Sequence, residues 1–251
     1  MSLLQIKNIS KSFDGLKALH NLSFNVNDGE IVGVIGPNGA GKSTLFNAIM
    51  NHINKDSGDI YFDGINITKK PTHQIAGMGI VRTFQDSQPL PQISVQENLD
   101  LAFKYQTDIS LVSVFGRHKF LQEEQQVHFT KIKELLHEVG LGSKLNVQAQ
   151  DLSYGQGKLL EMLKVIASDA RLILLDEPFS GLFPEMIKLV TKLIYDLSAS
   201  GKTILLVEHN MQLIEEICDR VIVMDAGQKI ADGDFKTVTK QQNVIDSYLG
   251  K

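Results

Sequence analysis

The sequence predicts an α/β protein, with a mostly parallel sheet as its core, an antiparallel β subdomain and a helical subdomain. Three observations predict it. Short alternating runs crowd positions 3–64, the apolar period turns helical between about 89 and 150, and buried-strand patterns alternate with helical ones from Arg171 onward. In the first zone, Leu4-Gln5-Ile6 and Leu22-Ser23-Phe24-Asn25-Val26 alternate apolar with polar residues, and Ile60-Tyr61-Phe62 follows a Ser-Gly turn. That is the pattern of antiparallel strands with one buried face. Ile31-Val32-Gly33-Val34-Ile35 is different, because a run without polar residues predicts a strand covered on both faces, and it leads straight into a glycine-rich turn. In the middle zone the clearest amphipathic helix is Lys131-Ile132-Lys133-Glu134-Leu135-Leu136-His137-Glu138-Val139. The last zone supplies Leu172-Ile173-Leu174-Leu175, Thr203-Ile204-Leu205-Leu206-Val207 and Val221-Ile222-Val223-Met224 as parallel strands joined by crossover helices. With no tandem repeat and no low-complexity linker, 1–251 is expected to be one domain, divided into 1–88, 89–160 and 161–251.

Composition narrows the function. A chain of 251 residues, 43% apolar and 22% charged, with a net charge of -4, suits a globular protein with a sizeable core. Charges of both signs are dispersed and no Lys/Arg block occurs, so nucleic acid is not expected as a partner. Cys218 is the only cysteine, which excludes an intrachain disulfide and argues against a Cys-based metal site. The first ten residues lack a cationic segment leading into an apolar stretch, and no apolar run approaches the ~18 residues of a membrane span. Any membrane contact is therefore expected to be peripheral, through partners.

Gly36-Pro37-Asn38-Gly39-Ala40-Gly41-Lys42-Ser43-Thr44 matches GxxxxGK[ST], between a predicted strand and a predicted helix over 45–50. Glycines let the backbone curl so that successive N–H groups face phosphate oxygens, and the helix directs its positive end to the same place. Asn38, Gly39, Ala40, Gly41, Lys42, Ser43 and Thr44 are thus candidate nucleotide-binding residues of a P-loop (RecA-like) core. Lys42 is placed to bridge the β- and γ-phosphates and Ser43 to ligate Mg²⁺. Leu172-Ile173-Leu174-Leu175-Asp176-Glu177 puts two carboxylates at the tip of a buried strand. Asp176 is expected to reach Mg²⁺ through water, and Glu177 to polarise the attacking water as general base. Asn54-Lys55-Asp56 lacks the spacing of a guanine-reading motif and lies too close to the P-loop to be one.

A P-loop alone leaves several ATPase and GTPase classes open. Leu152-Ser153-Tyr154-Gly155-Gln156, at the start of a predicted helix, resembles the LSGGQ signature of ABC (ATP-binding cassette) ATPases. The resemblance covers essentially the whole chain. It implies that Ser153 and Gly155 meet the nucleotide of an opposite subunit, so that two ATP molecules cement a head-to-tail pair. By the same resemblance Gln85 in Arg82-Thr83-Phe84-Gln85 is the Q-loop glutamine that senses Mg²⁺ and the attacking water. His209 in Val207-Glu208-His209 is the switch histidine at the γ-phosphate, and Phe13 in Lys11-Ser12-Phe13 is the aromatic that stacks on adenine. Ser94-Val95-Gln96-Glu97-Asn98-Leu99 resembles the segment that helps line the groove for a membrane partner's coupling helix.

Gly79-Ile80-Val81-Arg82-Thr83-Phe84-Gln85, the long helical insertion, Tyr154 and the ending Ile245-Asp246-Ser247-Tyr248-Leu249-Gly250 resemble the ATPase subunits of branched-chain amino acid, amide and urea importers. What this implies is an ATPase that drives import of a small polar solute. It would pair with a second ABC ATPase subunit, the same or different, on transmembrane permease subunits fed by a solute-binding protein, and would sit peripherally at the cytoplasmic face of the inner membrane. Two departures stand out. Phe183 follows Ser180-Gly181-Leu182 where the family's D-loop has Asp or Asn, and Gly157 and Leu159 replace the usual Gln and Arg. They leave the hydrolytic residues intact and predict an asymmetric dimer with a slow or unusually coupled site. The alternatives were a soluble ABC ATPase acting on nucleic acid or ribosomes, which usually carries two cassettes or basic insertions, and a nucleotide kinase, which accounts for neither the signature nor His209.

Overall fold

Two sheets of different character divide the strands between them. The computed structural model describes residues 2–83, 89–103 and 118–249, with the side chains of 118–122 and 249 left out of the description. Strands β1 (Ser2–Phe13), β2 (Leu16–Asn27), β4 (Ser57–Phe62) and β5 (Ile65–Asn66) form an antiparallel sheet in the order β2-β1-β4-β5. Leu4 and Ile6 point into the core as the alternation predicts, but the next buried residue is Ile9, three positions on. The register shifts between Ile6 and Ile9, and Asn8 sits at φ 50. A bulge with asparagine in the left-handed region re-phases the strand, so a twelve-residue β1 keeps one buried face despite its broken period.

The second sheet runs β10 (Gln228–Gly233), β9 (Arg220–Asp225), β3 (Ile31–Ile35), β8 (Thr203–Val207), β7 (Leu172–Asp176), β6 (Ile80–Arg82). Its neighbouring strands are parallel except for β10, which returns antiparallel beside β9. Every residue of β3, β7 and β8 is buried, which is why these segments are apolar runs and not alternating ones. Parallel neighbours need crossovers, so the loops at the carboxyl ends of β3, β7 and β8 come together from distant parts of the chain.

The α-helices among the described residues are α1 (Lys42–Ile49), α2 (Thr72–Gly77), α3 (Val95–Asp100), α4 (His118–Glu138), α5 (Tyr154–Ala167), α6 (Pro184–Ala199), α7 (Met211–Ile217), α8 (Phe235–Val238) and α9 (Gln242–Leu249). Helix α1 begins three residues before the expected 45–50, because Gly41 at φ 99 caps it and draws the Gly-Lys-Ser run into the first turn. The amphipathic stretch expected at 131–139 is the C-terminal half of the longer α4, where Ile132, Leu135, Leu136 and Val139 are buried at helical spacing.

The chain forms two compact units. The first comprises Met1–Gln85, Ala170–Phe179 and Ile194–Lys251 and contains both sheets; the second comprises Asp86–Asp169 and Ser180–Leu193 and is helical. In the second unit α3 packs against α4 and α5. Ser94 opens α3 with a reciprocal cap, its hydroxyl accepting from Glu97 N while the Glu97 carboxylate accepts from Ser94 N.

Candidate nucleotide site

The loop after β3 is fixed by backbone that tolerates no side chain. At Gly36, φ is 152 and an added Cβ would lie 2.1 Å from Met224 O; at Gly41 it would lie 2.4 Å from Ala18 O. Both glycines are therefore required by a close approach and by conformation. Helix α1 has no side-chain N-cap, so its first N–H groups face the loop's interior without a side-chain acceptor, the arrangement that favours an anion. Lys42 is buried, and its Nζ donates to Gly36 O at 2.7 Å and to Pro37 O at 3.0 Å. Burial pushes this ammonium below its ordinary pKa, against the opposing pull of Glu177 and Asp176.

Two neighbouring strand ends bring in the other groups. Asp176, the last residue of β7, is 3% exposed. Its Oδ2 accepts from Arg82 Nη2 at 2.8 Å, its N–H donates to Thr83 Oγ1 at 3.1 Å, and its Oδ1 has no hydrogen-bond partner among the described residues. A buried carboxylate oxygen without a donor fits a cation, as does the oxygen-rich donor set that Asp176 and Ser43 would supply. Glu177 turns at φ 50, held by its N–H bond to Val207 O at 2.9 Å. Its Oε1 is hydrogen-bonded to His209 Nε2 at 2.8 Å. The glutamate and the histidine thus hang from the ends of adjacent parallel strands, β7 and β8.

Between them lies a residue that sequence reasoning did not single out. Glu208 is 6% exposed, and its carboxylate accepts from Phe179 N at 3.2 Å, His209 N at 2.8 Å and Asn210 N at 3.3 Å. It ties the loop after β7 to the loop after β8 and so sets the spacing of Glu177 and His209. Arg82, with Asn47 Oδ1 2.6 Å from its Nη1, is a second such residue. The one available signal was a charged residue directly after an apolar strand, at Ile80-Val81-Arg82 and at Val207-Glu208.

Asn38, Gly39, Ala40, Gly41, Lys42, Ser43 and Thr44 line one cavity of about 550 Å³ together with Glu177 and His209. Phe13 is not among its lining residues: it is 46% exposed with Lys11 Nζ 5.2 Å from its ring centroid, and Leu16, Lys17 and Ala18 at the start of β2 line the cavity instead. Gln85 lies outside the described residues. Ser153 and Gly155 belong to the second unit. There Ser153 caps α5, accepting from Gln156 N at 3.3 Å while its own N–H donates to Gln156 Oε1 at 3.0 Å. Tyr154 Oη donates to Ser180 O at 3.3 Å, and its ring covers Gly181, where an added Cβ would come within 2.8 Å of it. The signature turn and the segment leading to Phe183 are therefore in contact.

Comparison with known proteins gives one answer. The sequence model of the ABC transporter family matches residues 19–180. The chain is 38% identical to the probable branched-chain amino acid transport ATP-binding protein LivG of Archaeoglobus fulgidus, over 100% of this chain and 96% of that one. To the high-affinity branched-chain amino acid transport ATP-binding protein LivG of Escherichia coli it is 34% identical, over 99% and 98%. Among solved structures it resembles a nucleotide-free ATP-binding cassette from an ABC transporter, at TM-score 0.84 and 34% identity, and an ADP-bound cassette at TM-score 0.82 and 34% identity, each covering 100% of both chains.

Proposed function

Because the chain belongs to the ABC transporter family, as an ATPase of the ATP-binding cassette type, we propose that it powers import of branched-chain amino acids or a related small amide through membrane-embedded permeases. The observation that carries the chemistry is the shared cavity, in which the 38–44 loop faces the hydrogen-bonded Glu177–His209 pair. The relatives' transport of branched-chain amino acids, over nearly their full length, supports the substrate class.

In this reading 1–251 is one cassette. ATP lays its phosphates on the N–H groups of 38–44, and Lys42 gives up its loop carbonyls for β- and γ-phosphate oxygens. Ser43, Asp176 and Gln85 would hold Mg²⁺, which would neutralise charge on those oxygens. Glu177 takes the proton of the attacking water, and His209, bonded to it beforehand, orients the carboxylate and then steadies the γ-phosphate. Ser153 and Gly155 of a second subunit, identical or not, close over the nucleotide, with Phe13 against the adenine. Closure does the mechanical work and hydrolysis releases it. The permeases are fed by a solute-binding protein, and they hold the ATPase at the cytoplasmic face of the membrane. No helix among the described residues is long and apolar enough to cross a membrane.

Glu177→Gln tests the assignment. It should bind ATP, accumulate as an ATP-dependent dimer on size-exclusion chromatography, and hydrolyse ~10²–10⁴-fold more slowly. Cells relying on it should lose uptake of radiolabelled leucine. Rapid turnover would remove Glu177 from its role, and unaffected leucine uptake would remove the substrate class.

A further inference from the structure

Asp176 does not stand alone at the end of its strand. Its partner Arg82 ends β6, the neighbouring parallel strand, and both side chains are almost wholly buried, at 5% and 3% exposure. The guanidinium uses its fork in two directions. Nη2 holds Asp176 Oδ2 at 2.8 Å, and Nη1 holds Asn47 Oδ1 at 2.6 Å. Its carbon stands 5.4 Å from the centroid of the Phe46 ring. Phe46 and Asn47 belong to α1, the helix that opens with Lys42 and Ser43. Thr83, next to Arg82, accepts the Asp176 N–H. One planar cation therefore bolts the carboxylate to the phosphate-loop helix, and the hydrogen bond from the strand end stops the backbone from shifting.

We propose that Arg82 is a positioning residue for the metal: by engaging Asp176 Oδ2 from the end of β6 while anchored to Asn47 on α1, it leaves Oδ1 as the carboxylate oxygen that would take Mg²⁺ arriving with ATP. This rests on the reading of Asp176 as the metal carboxylate. Buried with one oxygen in a fork, the carboxylate can take the metal through only the other, without a rotamer search. A charge in the right place is not enough for this. Lysine supplies the same charge as a single point, without the rigid planar fork that spans Asp176 and Asn47. Outer-shell partners of this kind typically alter metal affinity about 10–100-fold when replaced.

The test is ATP affinity measured on the purified protein with a fluorescent ATP analogue, in EDTA and in saturating Mg²⁺, for the wild type, Arg82→Lys, Asn47→Ala and Asp176→Asn. Arg82→Lys keeps the charge and loses the fork. It should leave affinity in EDTA within about twofold and diminish the tightening by Mg²⁺ roughly tenfold. Asn47→Ala, which removes only the anchor on α1, should diminish it in the same direction by less, and it decides the question alone if Arg82→Lys does not fold. Tightening preserved in both variants, or affinity falling equally with and without metal, overturns the proposal, the latter by showing a merely structural role. Asp176→Asn separates the two claims. If it abolishes the tightening while the Arg82 and Asn47 variants keep it, only the positioning role falls; if it keeps the tightening, the metal assignment of Asp176 falls and this inference with it.

Discussion

Glu208 satisfies three backbone N–H groups with one buried carboxylate, and those donors come from two loops, after β7 and after β8. Removing the acceptor strands the buried Phe179 N–H, and an unmet buried donor costs about 1–3 kcal/mol. Glu208→Ala should therefore lower the unfolding free energy by at least about that amount in urea titrations, and should slow ATP turnover more than it weakens ATP binding, because the Glu177–His209 spacing relaxes. A variant as stable as wild type would show that the carboxylate is dispensable. The same residue marks the limit of the sequence at this scale. Lys42, Ser43, Asp176 and Glu177 were legible because their neighbours in sequence, a glycine-rich turn and an apolar strand, are part of the chemistry they perform. Arg82 and Glu208 act through partners 94 and 29 positions away, and no local pattern carries that information.

At the scale of the element, β3 shows how one residue can set the fit of a buried strand. Gly33 interrupts an otherwise branched apolar run, and an added methyl would meet Cys218 Sγ at 3.0 Å, Val221 Cγ1 at 3.1 Å and Ile214 Cδ1 at 3.3 Å. The glycine lets α7 and the start of β9 press against the strand. Gly33→Ala gains about 0.5–1 kcal/mol of backbone entropy but overpacks at a cost of about 1–3 kcal/mol, so it should destabilise the protein on balance. Pairing it with Cys218→Ala should recover part of the loss, since that contact is the shortest; strict additivity of the two changes in denaturant titrations would contradict the packing account. The run at 31–35 foretold a doubly covered strand, and the short alternations foretold an antiparallel sheet. What stayed hidden had physical reasons. The bulge at Asn8 broke the period of β1, Gly41 started α1 earlier than its apolar residues suggest, and the N-terminal part of α4 is rich in glutamine and glutamate, which dilutes the helical period.

For the whole molecule, the proposed pairing of two cassettes makes Phe183 a position to test. Its ring is 75% exposed, and the segment before it is tied to the signature turn through Tyr154 and Ser180. Replacing the ring with the carboxylate usual in the family, Phe183→Asp, should raise the ATPase rate and change its cooperativity in ATP; a variant with both unchanged would end the idea of an unusually coupled site. The strand order of the core sheet carries a last consequence. β8 lies between β3 and β7 in the sheet but follows both in the chain. While the polypeptide is being made, the phosphate-loop strand and the strand bearing Asp176 emerge from the ribosome long before the segment at 203–207 that must slot between them. Until it does, both present bare, apolar edges of the kind that seek any passing strand. A nascent chain stalled before Thr203 should therefore capture a chaperone; the late arrival of five residues closes the two edges that β3 and β7 turn toward each other, while the outer edge of β3 waits for β9.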